Sequence, residues 1–469
     1  MKKYLIKNAK AIVTCDASDS VLYDSDILIE GAVIKAIGSN LKSEDAEIID
    51  ASKMYVYPGL VNTHHHFLQA FTRNIPQLQQ AELFDWLIFL YELWALVDEE
   101  HVYYSTMVGM GELIKYGCTT TFDHHFCFPK DAGKNLIDRQ MDAAAEIGMR
   151  FAAGRSCFTR GKSNGGLPPD VLVETCDETI KDCQRLIEKY HDNSRYSMRQ
   201  VVVAPCSPFS VDTDVMVESA KLARDKKVRL HTHLAETMDE ERYCLEVYHD
   251  RPLAWAKKCG WVGEDVWYAH GIHFTDEEID LLAATKTGVA HCPVSNMKTC
   301  AGIMKLPQML QKGVPVGIAV DGYGAQDGSN LLNEIRMAYL WHRSNACNQS
   351  PAPSGYDCLK LATTGGAALL GRSDIGLLKE GMAADLFMID VDHMEYSGAH
   401  LDPASFLAVV GYHRPVSMTM IQGEIVYKDG HLTKIDEEKV KYAAERIADK
   451  VYSSEAFQRE TRRMDAQKV

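Results

Sequence analysis

The sequence of 469 residues contains no cysteine pair at C-x-x-C spacing, no lysine- or arginine-rich run and no low-complexity tract. Its 13 cysteines occur singly, which favours reduced thiols in the cytoplasm over a disulfide framework. The formal net charge of -15 argues against a nucleic-acid partner, because phosphate binding needs a basic surface. The most apolar stretch, residues 83–97, is too short to span a bilayer and carries Asp85 and Glu92. We therefore expect a cytoplasmic protein without a nucleic-acid or membrane partner.

Strand-like segments at both ends of the chain flank a long middle that alternates strands with helices. Residues 1–57 and 373–435 have the pattern of short strands separated by turns, and residues 436–469 that of a helical segment. Over residues 58–372, eight strand-like runs alternate with helical stretches such as 275–286. This order predicts an α/β fold, a (β/α)8 TIM-like barrel with a small β-sandwich built from both chain ends.

The main alternative to a barrel is an open doubly wound sheet. No glycine-rich nucleotide-binding fingerprint follows any of the strand-like runs. Strand after strand instead ends in His, Cys or Asp on its C-terminal side. Barrel enzymes build their active sites from these strand ends, whereas an open sheet would draw such residues from a few strands only. The distribution of polar residues therefore favours the barrel.

Three adjacent histidines follow the apolar run YVYPGLV. Side chains alternate along a strand, so His64 and His66 are expected to point together into the barrel mouth while His65 points away. A second H-x-H pair, His231 and His233, follows the fifth strand-like run. Neutral imidazole nitrogens suit Zn²⁺ or Fe²⁺, so each pair is a candidate for metal binding.

Three further polar residues lie at or just after later strand ends. Glu236 follows the second histidine pair, His270 ends the sixth strand-like run and Asp321 ends the eighth. Each has a structural alternative, because the backbone can satisfy a buried histidine and Asp-Gly is common turn chemistry. Their coincidence at the strand ends of one barrel predicts a metal centre. For His124 and His125, after the second strand, a pocket role and a structural role remain equally open.

A resemblance to a known family is carried by the segments PGLVNTHHH, HTHLAET, AHGIHF, HCPVSNMK and VDGYGAQDGSNLL. They resemble the signature segments of the amidohydrolase superfamily, and more narrowly its cytosine/guanine-deaminase and chlorohydrolase branch. The likeness covers nearly the whole chain. Within the branch, AELFDWL, TMDEERYCLEVY and WYAHGIHFTDEEI are most similar to 8-oxoguanine deaminases and their hydroxytriazine-hydrolase relatives.

The resemblance implies roles for particular residues. The implied metal ligands are His64, His66, His233 and Asp321. Glu236 matches the family's proton shuttle, His270 matches the histidine that orients the reaction, and Asp321 can share the proton handling. His231 and His273 match no ligand position, which leaves a supporting or structural role for them.

One absence bears on the number of metal ions. Binuclear members of the superfamily use a carboxylated lysine, usually from the fourth strand, and here that strand ends VVVAPCSP without a lysine. We therefore expect one divalent ion per chain, Zn²⁺ first and Fe²⁺ as the alternative. The missing lysine also disfavours an amide- or ring-opening hydrolase of the binuclear type.

The chemistry implied is hydrolytic deamination of an aminated purine-type heterocycle, 8-oxoguanine above all, with water as the second substrate. The alternatives are deamination of isoguanine, guanine or a pterin, hydrolysis of a hydroxytriazine, and deamination of an adenosine-type thioether such as S-adenosylhomocysteine. A non-catalytic scaffold of the same fold is disfavoured because all four candidate ligands are present. A homo-oligomer is expected, without a subunit count.

Residues 67–100 are long for a barrel loop and rich in aromatic side chains. Their apolar part is either a core or interface helix, or part of a lid over the substrate. For the lid, Gln69, Arg73 and Trp86 are the candidate substrate contacts. An amide and a guanidinium would bind carbonyl oxygens, and an indole would stack on the substrate or shape the pocket.

Overall fold

The computed structural model describes residues 2–346 and 352–467. Its strands are β1 (Lys3–Ala9), β2 (Ala11–Val13), β3 (Val21–Leu22), β4 (Ser25–Glu30), β5 (Val33–Gly38), β6 (Glu47–Asp50), β7 (Met54–Pro58), β8 (Leu60–Asn62), β9 (His65–His66), β10 (Cys118–His125), β11 (Arg150–Arg155), β12 (Arg199–Val203), β13 (Arg229–Leu234), β14 (Val266–His270), β15 (Gly288–His291), β16 (Val316–Ile318), β17 (Asp321–Gly322), β18 (Leu386–Asp390), β19 (Met418–Ile421), β20 (Glu424–Lys428) and β21 (His431–Leu432).

The α-helices are α1 (Leu83–Trp94), α2 (Glu99–Lys115), α3 (Leu136–Ile147), α4 (Cys176–Tyr190), α5 (Thr213–Lys226), α6 (Met238–Val247), α7 (Pro252–Lys258), α8 (Asp276–Thr285), α9 (Pro293–Lys298), α10 (Leu306–Lys312), α11 (Tyr323–Gln326), α12 (Leu331–Ala346), α13 (Gly355–Lys360), α14 (Gly366–Leu369), α15 (Phe406–Val409), α16 (Glu437–Tyr452) and α17 (Glu455–Gln467). Short 3₁₀ turns include Phe67–Phe71 and Pro76–Leu78, and a π-helical turn spans Leu361–Gly365.

Eight parallel strands form the central sheet, in the order β8-β10-β11-β12-β13-β14-β15-β16. All eight residues of β10 are buried, as expected for a parallel strand that is covered on both faces. Helices separate most consecutive strands, and the sheet is nearly closed into a barrel. The predicted (β/α)8 barrel is confirmed.

The barrel closes at its C-terminal mouth through a pair of very short strands. β9 continues the line of β8, β17 continues that of β16, and the two pair in parallel, with Asp321 opposite His65 and Gly322 opposite His66. The N–H of Asp321 also donates to the His64 carbonyl at 3.1 Å. The first and the last strand ends are therefore held together where the candidate ligands lie.

Both chain ends contribute to two further sheets. One has four strands in the order β5-β4-β1-β6, and the other has seven in the order β21-β20-β19-β18-β7-β2-β3. The second sheet joins strands from the two termini, because β7 pairs with β18 in antiparallel register. This agrees with the β-rich ends read from the sequence. A buried ion pair between Arg150 of the barrel and Asp385, next to β18, links the two parts.

The helix predicted over residues 275–286 is present as α8, and Thr275 and Glu278 form the capping box reciprocally. The C-terminal helices pack on the barrel's first helices, α16 against α2 and α17 against α1. Within the described ranges, no helix has both the length and the apolar character needed to cross a bilayer.

Candidate active site

The barrel mouth gathers histidines whose Nδ1 protons are bound to backbone carbonyls. Nδ1 of His66 donates to the carbonyl of His124 at 2.7 Å, and Nδ1 of His233 donates to that of Cys206 at 2.8 Å. A neutral imidazole carries one proton, so Nε2 of each ring presents a bare lone pair. These two Nε2 atoms lie 3.1 Å apart. Two lone pairs at this distance repel each other unless a proton or a cation lies between them.

A third histidine is oriented through another imidazole. Nδ1 of His231 donates to the Trp267 carbonyl at 3.0 Å, which leaves Nε2 of His231 as an acceptor. Nδ1 of His64 donates to that atom at 2.8 Å, so Nε2 of His64 is unprotonated. This atom is buried, has no hydrogen-bond partner among the described residues and lies 3.4 Å from Oδ1 of Asp321.

The carboxylate of Asp321 supplies a negative charge next to the three unprotonated Nε2 atoms. Its Oδ1 lies 3.4 Å from Nε2 of His66, and its Oδ2 accepts a hydrogen bond from Ser295 Oγ at 2.5 Å. Burial alone would raise the pKa of Asp321, but the neighbouring His270 and His66 and the Ser295 hydroxyl lower it below its usual value. The carboxylate therefore stays ionised beside the imidazoles.

Burial keeps the imidazoles neutral. It lowers the pKa of His64 and His66 well below the usual value, and that of His233 to about 4. Neutral nitrogens together with a carboxylate are the donor set of zinc and related divalent ions. These residues fit a divalent metal ion, because the ion would satisfy each facing lone pair.

The possible ligands form two overlapping groups in which His64 is shared. The groups are His64, His66, His124 and His233, and His64, His270 and Asp321. All four predicted ligands lie in one group or the other. His124 also joins the cluster, with Nε2 donating to the Ala204 carbonyl at 2.7 Å and Nδ1 buried without a partner among the described residues.

Glu236 and His270 lie beside the cluster, with Oε1 of Glu236 3.5 Å from Nε2 of His270. Burial raises the pKa of Glu236, and Asp321 adds to this effect while His270 opposes it. Burial would lower the pKa of His270, but the carboxylates of Glu236 and Asp321 and a hydrogen bond from Nδ1 to Asn296 Oδ1 at 2.9 Å leave it raised. A carboxyl group and an imidazole that lie this close together, both with a raised pKa, suit general acid–base catalysis.

Three strand-end residues of the site have a positive φ angle although none is glycine. The angles are +56° for Ala235, +73° for His270 and +64° for Asp321. L-residues rarely adopt this left-handed conformation, and its cost persists only where surrounding contacts enforce it. Here it turns the chain sharply at the mouth and aims the side chains inward.

A narrow cavity lies above the cluster, with free space of about 40 Å³, enough for one or a few water molecules. His66, His233, Glu236, His270 and Asp321 form its floor. Its walls are largely aromatic and aliphatic and include Leu83, Trp86, Leu87, Tyr91, Phe126 and Phe209. Residues from α1 thus cover the barrel mouth.

Two of the three candidate substrate contacts line this cavity. Gln69, on the 3₁₀ turn after β9, is buried, and its Oε1 accepts the Gly324 N–H at 2.9 Å, leaving the amide NH2 as a donor. A Cβ atom on Gly322 would lie 2.1 Å from that Oε1, so glycine at this position leaves room for the amide. Trp86 projects from α1. Arg73 is not brought to the cluster, because its guanidinium lies over the Tyr323 ring, 5.0 Å from the centroid.

Some of the site was not predicted from the sequence. The orientation of His64 by His231 depends on a contact between residues 167 positions apart, which no local pattern reports. The same holds for the side-chain contacts of Ser295 and Asn296. Glu240, which accepts the N–H groups of Ala235 and Glu236, was not predicted either. It lies within the acidic run DEE, a pattern that is typical of a solvent-exposed helix start.

Comparisons with known proteins identify relatives of this chain. The family described as Amidohydrolase family matches residues 55–426. Hydroxydechloroatrazine ethylaminohydrolase of Pseudomonas sp. (strain ADP) is 43% identical over 449 residues, covering 93% of this chain and 93% of that protein. 8-Oxoguanine deaminase of Pseudomonas aeruginosa is 39% identical over 438 residues, covering 93% and 96%. The structure of atrazine chlorohydrolase TrzN from Arthrobacter aurescens TC1 complexed with zinc has a TM-score of 0.89 at 31% identity, covering 95% of this chain and 100% of that chain.

The contact between His231 and His64 leads to a prediction on metal affinity. Replacing His231 with Phe removes the acceptor for the Nδ1 proton of His64, so His64 is no longer held in the tautomer that frees Nε2. Loss of such a supporting contact costs about 10–100-fold in metal affinity. Competition with a chromophoric chelator measures the affinity, and His273→Phe is the control, at a histidine whose ring donates to the Ala301 carbonyl and belongs to neither ligand group. Equal affinities for the two variants would contradict the role of His231.

Proposed function

Because this chain belongs to the amidohydrolase family, we propose that it is a metal-dependent deaminase of an aminated purine-type heterocycle, with 8-oxoguanine as the foremost substrate. The observation that carries the proposal is the convergence of three unprotonated imidazole nitrogens and Asp321 beside the Glu236–His270 pair, below a cavity with aromatic walls. The reaction replaces an exocyclic amine with a carbonyl oxygen and releases ammonia.

The metal would be held by Nε2 of His64, His66 and His233 and by Asp321, one ion per chain, with Zn²⁺ preferred. When bound, such an ion acts as a Lewis acid that lowers the pKa of water toward neutrality. The preference for zinc rests on the nitrogen-rich donor set and on the zinc named in a related structure. The single ion per chain is supported by the cavity lining, which contains no lysine.

Glu236 is the proton shuttle in this proposal. Its carboxylate takes one proton from the attacking water and delivers it to a ring nitrogen. It then takes the remaining hydroxyl proton of the adduct and delivers it to the amine, so that the C–N bond breaks, the carbonyl forms and ammonia leaves. The raised pKa brings the carboxyl closer to neutral pH, where both steps are efficient. His270, whose raised pKa favours a proton on Nε2, polarises the position under attack, and Asn296 fixes its ring through Nδ1.

The cavity supports a flat, carbonyl-bearing substrate. Trp86, Tyr91, Phe126 and Phe209 provide planar walls for a heterocycle. The free amide donor of Gln69 suits a ring carbonyl, which 8-oxoguanine has and adenine lacks. The free space holds no ring system in this conformation, so entry of a substrate requires the segment that carries α1 to move outward.

A second candidate is hydrolysis of a hydroxytriazine with an alkylamino substituent. The 43% identity to hydroxydechloroatrazine ethylaminohydrolase favours it, and such a ring is also flat and oxygenated. The metal site performs the same attack on both substrates, so the walls of the cavity decide between them. The predicted homo-oligomer and the cytoplasmic location remain predictions.

A substrate panel tests the proposal directly. We expect the purified, zinc-loaded protein to release ammonia from 8-oxoguanine with a higher kcat/KM than from guanine, isoguanine, isoxanthopterin or S-adenosylhomocysteine. Ammonia is measured by a coupled assay, and ethylamine released from an N-ethylamino hydroxytriazine is measured in parallel by chromatography. A higher kcat/KM for ethylamine release would favour the second candidate, and no release of either amine would refute both.

Replacing Glu236 with Gln preserves its volume and removes its proton transfer. We expect zinc content to stay at one ion per chain while kcat falls by about 10²–10⁴-fold, the usual contribution of a general acid–base group. Metal analysis and steady-state kinetics measure the two quantities. The exposed Glu246, changed to Gln, is the control, and near-normal turnover by Glu236→Gln would rule out the shuttle.

The amide of Gln69 provides a test of substrate recognition. Gln69→Glu keeps the acceptor for the Gly324 N–H but replaces the NH2 donor with a second oxygen, which repels a substrate carbonyl. An unpaired polar group in a buried contact costs about 1–3 kcal/mol, so kcat/KM for 8-oxoguanine should fall by about 10–100-fold. The matched control is the same substitution at the exposed Gln80. Unchanged kinetics in Gln69→Glu would mean that this amide does not bind the substrate.

A further inference from the structure

Glu240 is a fully buried acid for which the proposed chemistry has no use. It lies in the first turn of α6, within the run Asp239-Glu240-Glu241. Its two neighbours face outward, since Asp239 pairs with Arg242 and Glu241 with Arg251. Glu240 alone turns toward the barrel.

Both carboxylate oxygens of Glu240 bind the backbone that carries the proton shuttle. Oε1 accepts the N–H of Ala235 at 2.7 Å, and Oε2 accepts the N–H of Glu236 at 3.1 Å. A helix-start acid usually reaches back only to the N-cap residue, which is Thr237 in α6. Here the carboxylate passes that residue and reaches the strand end of β13.

The peptide that Glu240 holds is strained and is fixed from its other side as well. Ala235 has a φ angle of +56°, and its carbonyl accepts the N–H groups of Ile272 at 2.8 Å and His273 at 3.0 Å. Ile272 and His273 lie two and three residues after His270, which ends the neighbouring strand β14. One peptide therefore links the end of β13, which leads to Glu236, with the end of β14, which carries His270.

Moving an ionised carboxyl group from water into the protein interior costs free energy. Burial therefore raises the pKa of Glu240 to about 7, although the two N–H groups oppose the shift. Without Glu240, these N–H groups would have no acceptor among the residues that the structure describes. A carboxylate is the side chain that can accept two adjacent N–H groups at once without presenting a donor to either.

We propose that Glu240 is a positioning residue, which sets the direction of the Glu236 carboxylate toward His270 and the cavity by holding the N–H groups of residues 235 and 236. The inference rests on the proposed function, in which Glu236 moves the proton. Glu240 itself does not contact the reacting atoms, because it is absent from the cavity lining.

The test is Glu240→Gln, which keeps the size of the side chain but turns one acceptor into an NH2 group that faces a backbone N–H. A displacement of about 1 Å at a catalytic group costs about 100-fold in rate. We therefore expect kcat to fall by about 10–100-fold, with KM within twofold of the wild-type value and zinc content unchanged. Glu240→Asp, which retains both oxygens but is shorter, should show a smaller loss of kcat and serves if Glu240→Gln does not fold.

Glu241→Gln is the matched control, because it removes a carboxylate from the next position of the same helix. Its partner Arg251 also pairs with Glu278, so we expect its kcat and KM to equal those of the wild type. A structural readout independent of activity is amide hydrogen exchange, measured by mass spectrometry on the peptide that spans residues 234–238. Exchange there should be faster in Glu240→Gln than in Glu241→Gln.

The outcomes separate this inference from the proposed function. Faster exchange with a reduced kcat supports the positioning role. Unchanged exchange, or faster exchange with an unchanged kcat, overturns it, and so does a parallel loss of zinc or a large rise in KM. If the wild type deaminates no heterocycle, the proposed function fails, and the positioning role in catalysis falls with it even where the exchange result shows that Glu240 holds the backbone.

Discussion

Each imidazole that faces the centre of this site is held in one tautomer by a fixed acceptor on its other nitrogen. Backbone carbonyls take the Nδ1 protons of His66 and His233, and Nε2 of His231 takes that of His64. Once these protons are placed, three lone pairs converge within a buried region. Such an arrangement is unfavourable until a cation occupies it, so the metal-binding property follows from the surrounding scaffold as much as from the ligands.

The scaffold reaches this arrangement through strained backbone at the barrel mouth. Ala235, His270 and Asp321 have left-handed conformations, and hydrogen bonds on neighbouring chain segments hold them there. The pairing of β9 with β17 sets Asp321 against the His64–His66 segment. A barrel built from regular strands alone would end in extended chains, and its side chains would alternate between the mouth and the outer layer.

The relatives of this chain are named for different substrates. Proteins 43% and 39% identical to this chain are named for a hydroxytriazine and for 8-oxoguanine, respectively. In the function proposed for this chain, one centre can attack either ring, since the attack addresses only a carbon that carries an amine. Selection among rings falls to the cavity walls, to which α1 contributes Leu83, Trp86, Leu87 and Tyr91. Because α1 covers the barrel mouth, the residues that line the cavity walls are different from those of the proposed metal site and proton shuttle.

Much of this architecture could be predicted from the sequence, because its signals are local. The alternation of strand-like and helical stretches indicated the barrel, and the β-rich ends indicated the additional sheets. Both are present. H-x-H spacing on a strand indicated which of three adjacent histidines share a face. The helix predicted over residues 275–286 formed as α8. The placement of Arg73 outside the cavity could not be predicted, because it depends on a ring contributed by Tyr323.

The sequence by itself determined the fold class, the family and the identity of the residues at the strand ends, since each of these is encoded in patterns a few residues long. Only the tertiary structure decided which nitrogen of each histidine is free, which acid is turned inward and which side chains reach the cavity. Those properties depend on hydrogen bonds such as the ones between His64 and His231 and between Gln69 and Gly324. Their partners lie 167 and 255 positions apart, so they meet only when the barrel closes.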